Sequence, residues 1–331
     1  MSNLSSTIAE HIFDIASNYE FYVSVIIMTG GLISNTWIIL ILSHLRIFRG
    51  NQCAFYLIVE CFANLGLLSL ILSSRILTYI FHRDPVHYSI IWCRIRSWSV
   101  SVCAFISLMT ISFATFDQYL STNYRYFLRQ LSTLKLAYRL TIFNISFAVL
   151  QNLPLLILSE ILPIQGCSIQ NPILVKYFSY FYYPVLTSSL PLIVTGSLSL
   201  LAYHNVRHLI RRQIPVVRRR LDRQLTAMIL ARVICLLGFG LPYIFYSLCA
   251  LNISVDNNDQ RGLAILRLIE AIMLSLFYTN YSINFYVFLF ISSRFRHQVK
   301  YFLVKRCCHF VRLNQVAPNY DHHAISIIDL D

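Results

Sequence analysis

The sequence predicts an all-α membrane protein: a seven-transmembrane helix bundle with its N-terminus outside and a short amphipathic eighth helix on the inner surface. Three observations predict it. Of 331 residues, 57% are hydrophobic and only 12% charged, against roughly 25% charged in an ordinary soluble domain. Seven apolar stretches each reach the ~20 residues that a helix needs to cross a bilayer. The Lys and Arg residues fall mostly on one side of those stretches. A soluble core of this length could not hide so much apolar surface, and disordered, collagen-like and disulfide-scaffold classes are excluded by the same composition.

The apolar segments are Phe21–Leu45, Ala54–Phe81, Ser97–Leu120, Leu136–Leu158, Tyr177–Tyr203, Leu225–Ala250 and Leu263–Ile291. Each is continuously apolar, whereas barrel strands are about ten residues long and alternate, so helices are expected. Residues 1–20 read as an extracellular N-terminus, 21–291 as the transmembrane domain, 292–305 as a membrane-surface helix and 306–331 as a cytoplasmic tail. The first twenty residues carry Glu10, Asp14 and Glu20 without a basic region followed by an apolar run. No cleavable signal peptide is therefore expected, and the first apolar segment would direct its own insertion.

Orientation follows from charge. With the N-terminus outside, 19 of the 27 Lys and Arg lie in cytoplasmic loops and tail, 6 lie outside, and Arg75 and Arg232 lie within helices. The positive-inside rule selects that orientation. The net charge of +13 then reads as a topology signal and a surface for anionic lipid, not as a nucleic-acid footprint. The cluster Arg211 to Arg223 is either topological signal alone or a contact surface for a partner. The two halves of the helix set show no internal repeat, which weighs against many transporter folds.

The local motifs, taken together from about Met28 to Cys308, resemble the rhodopsin-like G protein-coupled receptors in a divergent form, most like invertebrate neuropeptide receptors. Gly31 and Asn35 match the family's first-helix Gly and Asn, and Ala63-Asn64-Leu65 resembles Ala-Asp-Leu. Cys93 is followed 24 residues on by Asp117-Gln118-Tyr119, similar to Asp-Arg-Tyr with the Arg replaced. Pro154, Pro191 and Pro242 fall where the family has prolines. Asn280, Asn284 and then Phe295-Arg296 resemble the seventh helix, with Phe285 and Phe288 in place of its Pro and Tyr.

The resemblance implies a receptor of the plasma membrane that converts an extracellular ligand into activation of a heterotrimeric G protein, with no cofactor and no enzymatic activity. It implies a polar pocket at Asn64, Ser107, Asn280 and Asn284, which in the family holds sodium. Here the carboxylate sits one turn earlier, at Glu60, which either holds water or sodium there or is a protonated or cytoplasm-facing packing residue. Activation and coupling fall on Asp117, Gln118, Tyr119, Asp222, Gly240, Pro242 and Phe288. Gln118 cannot form an ion pair and the indole of the sixth helix is replaced by Gly240, so either basal activity is raised or coupling is poor.

Arg75, Arg96, Arg267 and Glu270, with Val100 and Tyr278, are the candidate ligand-binding residues. Several guanidiniums would favour carboxylates or peptide carbonyls, which makes a small peptide the expected ligand; snorkelling of the arginines is the alternative. Val100 stands where amine receptors carry an Asp, and Tyr278 where retinal proteins carry a Lys, so neither ligand is expected. The aromatic run Tyr177 to Tyr183 reads as ligand contacts or as an interfacial belt. Arg232 in the sixth segment either snorkels or pairs with an acceptor. Cys93 and Cys167 face an oxidising compartment and are expected to form a disulfide. Asn3 and Asn252 begin outside glycosylation sequons, and Cys307-Cys308 follows a basic amphipathic segment where lipidation would add an anchor.

A transporter or ligand-gated channel is the alternative class, favoured by Glu60, Arg75 and Arg232 within helices. An enzyme lacks a catalytic constellation at depth. His204 and His208 have the i, i+4 spacing of metal ligands but no third ligand.

Overall fold

The computed structural model describes residues 2–45, 48, 50–81, 84–162, 166–209, 216–250 and 260–314. Asn252 lies outside these residues. The side chains of Asn3, Asp222, Cys307 and Cys308 also lie outside the description, although their backbones are helical.

Seven helices are long and apolar enough to cross a membrane. They are α1 (Ser2–His44), α2 (Gln52–Phe81), α3 (Ile90–Thr122), α5 (Leu134–Leu158), a composite fifth span, α8 (Val216–Ala250) and α9 (Gln260–Ser282). The short α4 (Tyr126–Leu131) joins α3 to α5. The fifth span begins with α6 (Pro172–Lys176), continues as a π-helix over Tyr177–Ser189 and ends as α7 (Leu190–Leu209). After Ile283 the seventh span resumes as α10 (Asn284–Ile291), and α11 (Ser293–Asn314) follows.

The exterior shows why this is a multi-pass membrane protein. Ile142, Phe245 and Phe290 are 64%, 72% and 84% exposed, on a bundle whose outer face is apolar around its girth. Water does not tolerate such a surface, but hydrocarbon does. Inside, Ile38, Leu57, Met228, Phe288 and Phe295 pack at one end, Met28, Leu68 and Tyr281 in the middle, and Phe105, Phe178 and Tyr182 at the other end.

Two helices run further than the apolar segments. Residues 2–20 are helical and continuous with α1, which has 43 residues and is therefore about 65 Å long at 1.5 Å per residue. Ala9 and Ala16, seven residues apart, are buried on the inward face of this extension. The last helix also runs on to Asn314. It is amphipathic as expected: Phe295, Val299 and Phe302 are buried while Arg294, Arg296 and Lys300 are exposed. Arg296 Nη1 donates to the carbonyls of Leu289 and Phe290 at 3.1 and 3.0 Å, capping the end of α10.

Cys93 and Cys167 form a disulfide with Cα atoms 5.6 Å apart. It ties the start of α3 to an antiparallel hairpin, β1 (Ser159–Leu162) and β2 (Gly166–Ile169), in which Ile161 faces Cys167. Arg94 Nε donates to the Ser159 carbonyl at 3.0 Å and fixes the same hairpin from its other strand.

Candidate functional site: a buried polar cluster beside an aromatic cavity

The cluster is assembled by helix packing at Gly31. A Cβ on Gly31 would stand 2.4 Å from Ser282 Oγ and 2.7 Å from Leu68 Cδ1, so α1 meets the seventh span and α2 at a distance only glycine permits. Ser34 and Asn35 then reach the break in the seventh span. The amide of Phe285 donates to Ser34 Oγ at 3.2 Å, and the carbonyl of Tyr281 accepts from Asn35 Nδ2 at 2.9 Å. In an unbroken helix those two groups would bond to each other. The first helix thus satisfies a rung that the seventh gives up, and the break needs no proline.

From Asn35 the polar chain crosses the bundle. Asn64 Nδ2 donates to Asn35 Oδ1 at 3.1 Å, and Ser107 Oγ donates to Asn64 Oδ1 at 2.6 Å. One turn away, Glu60 Oε1 accepts from Asn284 Nδ2 at 3.0 Å and from Arg232 Nε at 2.8 Å. Arg232 Nη1 also donates to Asn280 Oδ1 at 2.5 Å. Glu60 and Arg232 are each 1% exposed. The five residues expected to form a polar pocket, Glu60, Asn64, Ser107, Asn280 and Asn284, are therefore brought together. Glu60 is hydrogen-bonded within the cluster to Arg232 and Asn284.

Arg232 pairs rather than snorkels. Its guanidinium stands beside the Glu60 carboxylate as the positive charge that a sodium ion would have supplied there, and it comes from the sixth span. Burial of an isolated charge in so dry a place is costly, so each of the two ions needs the other. Arg232 Nη2, Asn280 Nδ2 and Asn284 Oδ1 are buried and have no hydrogen-bond partner, which marks unused polar capacity in the cluster.

A second tether holds the same helix further along. Gln118 Nε2 donates to Thr226 Oγ1, while Gln118 Oε1 accepts from Cys53 Sγ at 2.9 Å. Gln118 thus links α2, α3 and α8 with neutral hydrogen bonds in the place where the resemblance implied an arginine. Asp117 is turned aside, accepting from Ser132 Oγ at 2.9 Å. Gln224 Nε2 adds a bond to Gln298 Oε1 of α11 at 3.1 Å. Phe288 is fully buried and packs edge-on against Phe295 at 6.0 Å. Tyr119 is half-buried at this end.

Toward the disulfide end lies a cavity of about 310 Å³ between α3, the π-helix, α8 and α9. Val100 and Tyr278 line it. Tyr182, Tyr183 and Thr187 come from the π-helix, and Tyr243 and Ser247 from α8. Long π-helical segments are rare and cluster at functional sites; this one turns the aromatic run inward as well as outward. Pro184 lies within it, and Ser189 Oγ donates to the Pro184 carbonyl at 2.6 Å, five residues back.

The expected charges are elsewhere. Arg75, Arg96, Arg267 and Glu270 are not on the cavity lining. Arg75 Nη2 pairs with Glu20 in the N-terminal part of α1. Arg267 pairs with Glu270 at 2.9 Å one turn away, and both are exposed. Arg75, Arg96, Glu20 and Glu270 remain within electrostatic reach of the Tyr278 phenol, so they mark the rim of the cavity and not its wall. Gly240 and Pro242 lie in α8 between the cavity and Arg232, and a Cβ on Gly240 would meet only Leu236, at 3.8 Å.

Among the described residues no group of three His, Cys, Asp or Glu could hold a metal ion. No family model matches the chain, and no curated protein matches it. Fold and site therefore define the class: a seven-helix, multi-pass membrane protein with a buried ion pair on its sixth span and a cavity on one side of it.

Proposed function

We propose that this protein is a plasma-membrane receptor that converts binding of an extracellular ligand into activation of a heterotrimeric G protein. One observation carries the reading. A single helix, α8, lines the cavity with Tyr243 and Ser247 and is tethered through Arg232 and Thr226 to three other spans. A ligand in the cavity touches the helix on one side of Gly240 and Pro242; the tethers hold it on the other.

Binding would act by population shift. A ligand that fits the cavity better when α8 is displaced favours that state by its difference in affinity, and no more. Displacement breaks the Arg232 and Gln118 contacts and opens the end of the bundle where 19 basic residues are expected to face the cytoplasm and anionic lipid. The cavity end would face outward, with Asn3 and Asn252 glycosylated on that side and Cys307 and Cys308 lipidated on the other. A peptide ligand would leave its charged groups at the rim, near Arg96, Glu270 and the Arg75–Glu20 pair.

The test is nucleotide exchange by purified Gα subunits on the protein in lipid nanodiscs. Exchange above that of empty nanodiscs supports the reading, and none with any Gα class tested rejects it. The buried Glu60–Arg232 pair also favours a second reading, a transporter or channel, because paired charges at membrane depth line many ion and proton paths. Flux through proteoliposomes that vanishes in Glu60→Gln, with no nucleotide exchange, would select that reading.

A further inference from the structure

The chemistry of the cavity wall narrows what can enter. Among the described residues its lining contains no Asp, Glu, Lys, Arg or His. The charges within reach of Tyr278 lie off this wall, at the rim: the Arg75–Glu20 pair, Glu270 paired with Arg267, and Arg96. Moving an ion from water into such a site, with no opposite charge to meet it, is strongly unfavourable. The wall is instead aromatic, with Tyr243 and Phe277 stacked at 4.7 Å and Tyr182, Tyr183 and Tyr278 around them. At about 310 Å³ it sits at the small end of ligand pockets, which run from about 300 to 1,000 Å³.

Two of the lining hydroxyls have a direction, while the phenols of Tyr182, Tyr183, Tyr243 and Tyr278 can donate or accept. Thr187 Oγ1 donates to the Tyr183 carbonyl at 2.8 Å and Ser247 Oγ donates to the Tyr243 carbonyl at 2.9 Å. With their protons committed to their own helix, these hydroxyls offer lone pairs to a ligand. They accept; they do not need to donate.

We infer that the cavity takes an uncharged aromatic amphiphile of about one ring and a short chain, carrying a hydroxyl or similar neutral donor, and that it rejects the amine and carboxylate of the same skeleton. This rests on the receptor reading only for its physiological meaning, since the binding itself does not require a G protein. A matched series tests it: 6-phenylhexan-1-ol, 6-phenylhexylamine and 6-phenylhexanoate, titrated against the full chain in nanodiscs and read by thermal unfolding and intrinsic fluorescence. The controls are Ala104→Trp and Val100→Phe, which fill the cavity from two points on α3, each used only if its unfolding in the absence of probe stays cooperative.

The alcohol should bind at least tenfold more tightly than either charged relative, and both filling variants should weaken it at least tenfold. Equal or tighter binding of the amine or carboxylate would overturn the inference, as would alcohol binding that both variants leave unchanged. Selective alcohol binding without nucleotide exchange would reject the receptor reading alone, and exchange driven by a charged relative would reject this inference alone.

Discussion

Arg232 Nε and Glu60 Oε1 meet at 2.8 Å with each side chain 1% exposed, joining the sixth span to the second. Asn280 and Asn284 bind the two ions from the seventh, so three spans share one neutralised charge pair. Removing either ion strands the other.

That asymmetry gives the first prediction. Arg232→Met leaves a buried carboxylate unpaired and should destabilise the protein by about 3–5 kcal/mol, whereas replacing both ions by neutral side chains costs much less. The double variant Glu60→Gln/Arg232→Met should therefore unfold at a higher temperature than Arg232→Met alone. Chemical or thermal unfolding in nanodiscs measures the order, and additive losses would show that the ions do not depend on each other.

Sodium sensitivity should follow the same logic. In the wild-type protein the carboxylate already has a cation, so replacing sodium chloride by equimolar N-methylglucamine chloride should leave the unfolding temperature unchanged. Arg232→Gln frees Glu60 among Asn64, Asn280 and Asn284, and that variant should be stabilised by sodium. A sodium effect in the wild type that Arg232→Gln abolishes would contradict the assignment.

At Gly31 the prediction is steric. A methyl group there would lie 2.4 Å from Ser282 Oγ and 2.7 Å from Ser282 Cβ, which forces α1 away from the seventh span. Overpacking of this kind costs about 1–3 kcal/mol. Gly31→Ala should lower the unfolding temperature more than Gly196→Ala, because nothing lies within 4 Å of a Cβ at Gly196. Equal effects would mean the contact is not tight.

Gln118 holds α8 by neutral hydrogen bonds, each worth about 0.5–1.5 kcal/mol net. Gln118→Leu should raise ligand-independent nucleotide exchange by roughly two- to tenfold, the population shift that such a loss allows. Thr226→Val should do the same, and the double variant should add little to Gln118→Leu, since both remove the Gln118–Thr226 bond that reaches α8. Basal exchange unchanged in all three would show that this tether does not restrain activation.

The seven spans and the disulfide were legible because a bilayer enforces a continuous apolar run of fixed length and because few cysteines lie between the spans at that end of the bundle. The members of the polar cluster were legible as well: a Glu, an Arg and several Asn within apolar helices are conspicuous. Their pairing was not. Glu60 and Arg232 are 172 residues apart, and only the packing of α8 against α9 and α10 brings Arg232 within reach of α2.

The N-terminal extension of α1 had a signal that its three acidic residues masked. Ala9, Ile12, Ala16, Tyr19 and Val23 recur at three- and four-residue spacing, and Tyr19 bonds Ser275 of α9 at 3.1 Å. The pattern contains the face that packs, but it consists mainly of small or polar-tipped residues, so hydropathy undervalues it. The cavity wall was harder still. Hydroxyls from α8 and the π-helix converge there only because that helix carries an extra residue per turn, a geometry with no fixed sequence signature.

The most direct test of the Arg232 tether is a distance. Spin labels at Tyr124, in the loop after α3, and at Ala227, at the matching end of α8, report on the sixth span in nanodiscs once other reactive cysteines are replaced. Pulsed electron resonance on the ligand-free protein should give a single short distance, and Arg232→Met should add a longer population at its expense. An identical distribution in the two proteins would contradict the claim that the Glu60–Arg232 pair holds this helix in place.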